Sequence, residues 1–216
     1  MVAFWPKRLV WRVWSLLQLG IAVGLLFPYL RKAPLEVTYQ LATLQLSLPW
    51  WGFPAPEGWT SRYLIRLHFG VDGTALWIGL ACTVVFAVLS FWPHWQLRQP
   101  RFQLPAFFLV LGFTLATLFS YDLLVFYVGF EAVLIPMYYL ILTLASDPKE
   151  GQGPAMEFLL YTLVGSLPML TSILYGGTEI GREAGISFTS SLFDWYKYPL
   201  PASVQGWVYG GFVVAF

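Results

Sequence analysis

Five stretches of the chain, residues 13–30, 73–93, 102–121, 158–178 and 198–216, contain no charged side chain, and a sixth, 123–146, contains only Glu131. A hydrocarbon core about 30 Å thick is crossed by about 20 helical residues, the length at which these runs stop. In lipid every backbone polar group must be satisfied within the segment, and the apolar/polar alternation of barrel strands is missing. The runs therefore predict transmembrane helices. Composition agrees: 58% of the 216 residues are hydrophobic and 11% charged, too few charges to coat a soluble domain. The expected architecture is an all-α polytopic membrane protein with spans over residues 9–30, 73–93, 103–120, 122–145 and 155–178, and an incomplete sixth over 202–216.

The connections differ in character. Residues 33–71 carry four prolines and the segment LSLPWWGFPAPEGW, which predicts an irregular segment lying at the membrane surface. Asp72 and Asp122 stand where their side-chain oxygens can cap helix N-termini. Only Tyr121-Asp122 separates the third span from the fourth, which forces an antiparallel helix pair. SDPKEGQG and the glycine-bearing stretch after residue 176 read as polar loops. With strict alternation the basic residues divide evenly between the two faces; those in the short segments favour an N-terminus on the matrix or cytoplasmic side.

A net charge of +1 and the lack of a dense Lys/Arg cluster argue against nucleic acid and leave membrane lipid as the surrounding partner. Cys82 is alone and forms no disulfide within the chain. His68 and His94 have no ligand-spaced companions, so no metal is expected. Without a CxxC pair, a glycine-rich phosphate loop or a nucleophile arrangement, no redox centre or cofactor is expected either.

Chemistry concentrates at Glu131. It lies eight residues past Leu123, about 12 Å along a helix rising 1.5 Å per residue, near the middle of the core. A carboxylate at that depth costs at least about 2.5–3.5 kcal/mol and must be protonated, meet a cation or face water. Tyr127 and Tyr138 lie on roughly its side of the helix, where their hydroxyls can hydrogen-bond either protonation state. Pro136 frees the carbonyl of Ala132 beside it. On the next span Thr162, Gly165 and Ser166 offer close helix approach and hydroxyls for a water chain, and as a packing seam the same stripe needs no proton. Glu157, near the predicted end of that span, reads as an interfacial, solvated charge. The bland alternative for Glu131 is a neutral carboxyl tying two helices together.

Three segments, HFGVDGTALWIGL (68–80), SYDLLVFYVGFEAVLIPMYYLI (120–141) and EFLLYTLVGSLPML (157–170), resemble in order and separation the N-terminal half of the NADH dehydrogenase subunit 4 family, the antiporter-like membrane subunits of respiratory complex I. The likeness covers about residues 63–216, and FEAVLIPM resembles the mitochondrial form. It implies a multi-pass protein of the mitochondrial inner membrane, partnered by other membrane-arm subunits. It further implies proton translocation coupled to electron transfer from NADH to ubiquinone elsewhere in the assembly. In that family the glutamate matching Glu131 pairs with a lysine on the seventh helix. One span precedes GVDG here where the family has two, and the chain stops before that lysine. The resemblance thus leads to the expectation of a split subunit whose second chain supplies the lysines. A scaffold without a proton role and a separate cation/proton antiporter are the alternatives.

Overall fold

The computed structural model describes residues 39–47, 63–64, 66–91, 100–145 and 148–215, with seven further positions between 13 and 24, all helical. Most of the expected 9–30 span, and His94, lie outside the described residues. In chain order the elements are β1 (Tyr39–Ser47), β2 (Tyr63–Leu64), β3 (Arg66–Val71), α1 (Gly73–Phe91), α2 (Pro100–Leu118), α3 (Leu123–Leu144), α4 (Pro148–Glu183), β4 (Phe188–Thr189), α5 (Leu192–Lys197) and α6 (Ala202–Ala215). The protein is mostly helical. Two of its described helices, α3 and α4, are long and apolar enough to cross a membrane.

Two expectations need correction. Residues 33–71 are not wholly irregular, and the fold is not purely α: β1 pairs antiparallel with β3, and β2 parallel with β4. The four prolines of this segment fall outside residues 39–47, whose last six residues, ATLQLS, alternate apolar and polar as a strand does. The helix that contains the span expected at 155–178 extends past it at both ends. α4 runs unbroken for 36 residues, about 54 Å at 1.5 Å per residue, which exceeds a bilayer of about 40–45 Å with its headgroups. Pro148 opens it at the position where a missing N–H costs nothing. The glycines that suggested a loop instead allow close packing. A Cβ on Gly177 would lie 2.5 Å from the Phe188 ring and 2.7 Å from the Thr189 carbonyl, and one on Gly176 would enter the Trp195 indole.

Packing divides into two apolar centres. Ala106, Phe107, Val110 and Leu140 form one between α2 and α3, with Phe86 of α1 against it. Leu123, Met169 and Ile173 form the other, joining α3 to α4 and, through Trp195 and Phe212, to α5 and α6. The α2–α3 pair is antiparallel and tight: a Cβ on Gly129 would lie 2.6 Å from Thr117 Oγ1. Gln103, fully buried, donates from Nε2 to the Thr143 carbonyl at 3.1 Å and ties the far ends of the same two helices. The outer surface stays apolar, with Ile135 73% and Trp207 78% exposed, as suits helices surrounded by lipid or by other helices.

The short α2–α3 connection is held from two sides. On one, Gly70 N–H donates to the Phe119 carbonyl and Tyr121 N–H to the His68 carbonyl, both at 2.8 Å. On the other, Leu123 N–H donates to Ser190 at 2.8 Å and Leu192 N–H to Tyr121 at 3.0 Å. A three-pass belt of backbone results, which satisfies groups that a bare helix turn leaves open. His68, Tyr121 and Phe193 pack their rings across it. Burial, followed by the Asp72 carboxylate and then Tyr196, pushes the Tyr121 phenol above its ordinary range, so it stays protonated at neutral pH.

Candidate functional site

Both predicted caps are present. Asp72 Oδ1 accepts from Ala75 N–H at 2.6 Å, and Asp122 Oδ1 accepts from Leu124 and Val125 N–H at 2.9 and 3.1 Å. Asp122 does more than cap. It is 0% exposed, and its Oδ2 accepts from Ser190 Oγ at 2.7 Å, so one carboxylate fixes the start of α3 against the β4–α5 segment. That long-range partner has no local sequence signature.

From this anchored end α3 carries Tyr127 and, one turn on, Glu131 towards α4. Glu131 is half-buried and lies between the two apolar centres. The hydroxyl of Ser166, a residue 1% exposed, donates to Glu131 Oε1. The same hydroxyl stands 2.9 Å from the Leu163 carbonyl. One hydroxyl proton cannot serve both acceptors fully, and this gives the pair two self-consistent arrangements. With Glu131 ionised, Ser166 donates to the carboxylate. With Glu131 protonated, the carboxyl donates to Ser166 Oγ, and the serine turns its own proton to Leu163. Neither state strands a polar group, which at this depth is the main cost of changing protonation.

Tyr127 completes the group. Its phenol comes against both Ser166 and Glu131, and its ring packs on the Leu123–Met169–Ile173 centre, which walls one side. The other predicted residues stand apart. Thr162, one turn from Ser166, donates its hydroxyl to the Phe158 carbonyl at 2.7 Å. Pro136 is buried within α3, and Tyr138 lies two turns past Glu131 with no hydrogen bond to it among the described residues. Gly165 has nothing within 4 Å of an added Cβ. Of the expected Thr162–Gly165–Ser166 stripe, Thr162 and Ser166 share a face one turn apart, whereas Gly165 points about 100° away from Ser166.

Among the described residues no cation reaches Glu131. Between Arg101 and Arg182 the sequence holds a single basic residue, Lys149 at the start of α4. What the arrangement offers is a half-buried carboxyl hydrogen-bonded to a single buried serine hydroxyl.

Residues 120–189, from the α2–α3 turn to β4, match the family described as NADH:quinone oxidoreductase/Mrp antiporter, TM. The chain is 35% identical over 118 residues to NADH-ubiquinone oxidoreductase chain 4 of Marchantia polymorpha, covering 54% of this chain and 24% of that one. It is 37% identical over 151 residues to NADH-quinone oxidoreductase subunit 13 of Thermus thermophilus, covering 68% and 29%. To NADH-quinone oxidoreductase subunit M of Escherichia coli K12 it is 28% identical over 201 residues, 91% of this chain and 39% of the relative. The chain thus spans about a quarter to two fifths of the length of these relatives. The resemblance carried by the three sequence segments is borne out, and the matched region contains both Glu131 and Ser166.

Proposed function

We propose that this chain is an antiporter-like component of the membrane arm of complex I and takes part in proton translocation coupled to NADH:quinone electron transfer, with Glu131 as its protonatable group. The observation that carries this is the Glu131–Ser166–Leu163 arrangement, which accommodates a protonated and an ionised carboxyl alike. Its support is threefold: similarity to NADH-quinone oxidoreductase subunits, the central position of Glu131 in a membrane-length helix, and Tyr127 beside it. The redox chemistry belongs to other subunits. The counter-charge that Glu131 takes when ionised comes from outside the described residues. The likeness of FEAVLIPM to the mitochondrial form supports the mitochondrial inner membrane as the location.

Glu131→Gln is the test. In the assembled complex it is expected to lower the coupled pumping rate about tenfold or more, within what a positioned acid–base group contributes, while leaving the amount of complex on a native gel unchanged. Undiminished pumping would leave these helices as a scaffold only. Ser166→Ala removes the adaptive partner and leaves the carboxyl without its serine hydrogen bond in either protonation state, a deficit of about 1–3 kcal/mol. Pumping in that variant is expected to fall between wild type and Glu131→Gln, and Ser166→Thr, which keeps the hydroxyl, to restore most of it.

A further inference from the structure

α4 carries a second carboxylate, Glu157, whose surroundings differ from those expected of an interfacial charge. The helix begins nine residues earlier, at Pro148. Its depth is fixed by α3: a Cβ on Gly151 would meet Ala145 Cβ at 2.8 Å and the Leu142 carbonyl at 3.0 Å, so Gly151 is level with the end of α3. Six residues further, about 9 Å inward at 1.5 Å per residue, stands Glu157. It is exposed, and no hydrogen bond or ion pair reaches it among the described residues. Around it the same helix surface presents Met156, Leu160, Tyr161, Val164 and Leu167, with Tyr161 78% exposed. Lipid tails suit the apolar members of this surface and do not suit the carboxylate. An acyl chain offers Glu157 nothing, whereas a neighbouring helix with a cation at its level satisfies both the charge and the apolar area around it.

We propose that this face of α4 is the docking surface for a transmembrane helix of the complex, outside residues 1–216, that places a lysine or arginine against Glu157. The inference rests on the membrane-arm assignment proposed above, but it concerns assembly rather than proton transfer, and Glu157 lies far along α4 from the Ser166 contact.

The test uses the intact complex in its native membrane. A hydrophobic carbodiimide, which reacts with carboxyls from the lipid phase, and a water-soluble one are applied before and after the complex is dissociated in detergent, and residue 157 is read by mass spectrometry. The expected result is protection from both reagents in the complex and labelling after dissociation. Charge substitution gives the second readout. Glu157→Lys sets like charges together and is expected to reduce assembled complex at least about tenfold, while Glu157→Gln, which keeps size and hydrogen bonding, costs about threefold or less. Hydrophobic labelling in the intact complex would show a lipid-facing acid, and water-soluble labelling a wet cavity; either overturns the proposal. So does a protected Glu157 whose lysine variant assembles normally. Normal pumping in Glu131→Gln together with the expected Glu157 results would remove the proton role and leave the docking surface standing.

Discussion

Asp122→Ala is expected to destabilise this part of the protein by about 3–5 kcal/mol, among the largest effects of any single side-chain truncation here. The carboxylate accepts from two helix N–H groups and from the Ser190 hydroxyl while fully buried. Removing an N-cap side chain alone costs about 0.5–2 kcal/mol. The rest arises because Ser190 Oγ and the two N–H groups lose a charged acceptor in a place closed to water. Thermal inactivation of the extracted complex, and its yield on native gels, measure the loss. Asp122→Asn keeps an oxygen for the cap, and Ser190 can rotate to meet the amide, so it is expected to cost about 1 kcal/mol. Equal losses for the two variants would show that net charge, rather than these hydrogen bonds, fixes the turn.

The second large effect is steric. Gly177→Val puts its first carbon where Phe188 and the Thr189 carbonyl already stand, and the backbone oxygen cannot rotate out of the way as a flexible side chain could. Overpacking typically costs about 1–3 kcal/mol and more where the obstacle is backbone. At Gly177 at least about 3 kcal/mol is expected. Gly165→Ala is the internal control, because an added methyl at that helical position meets nothing within 4 Å. There the substitution is expected to be neutral or to stabilise by up to about 1 kcal/mol through helix propensity. Heat tolerance of the two variants in the same membranes separates packing from propensity. If both are tolerated equally, α4 and β4 do not approach as closely as described.

The helices centred on residues 123–144 and 158–178 were legible because length and uniform apolarity are properties of the chain itself, and the two aspartate caps because they act within three residues. Glu131 was legible for the opposite reason, as a charge in a run that excludes charges. Tyr127 and Ser166 were within reach of helical spacing, although Gly165 and Ser166 could not be assigned to one face before the α3–α4 contact was known. The true length of α4 was hidden by its glycines. GGTEIG is a loop signal by composition, and only the bulk of Trp195 and Phe188 opposite turns it into a packing surface. Ser190 as the partner of Asp122 lies 68 residues away, and nothing local announces it. The strand at 39–47 was obscured by prolines that border it.

The three-pass belt around the α2–α3 turn also sets an order of events during synthesis. Its passes, near residues 68–70, 119–123 and 190–192, emerge from the ribosome widely separated in time. Loop closure distinguishes them little, since doubling a loop adds only about 0.6 kcal/mol. Emergence therefore decides the sequence. The middle pass meets its first neighbour as soon as α2 has entered the membrane, whereas Asp122 waits, capping α3 but lacking Ser190, until all of α4 has been made. A nascent chain halted before residue 190 holds a half-sealed turn whose aspartate still lacks its long-range donor.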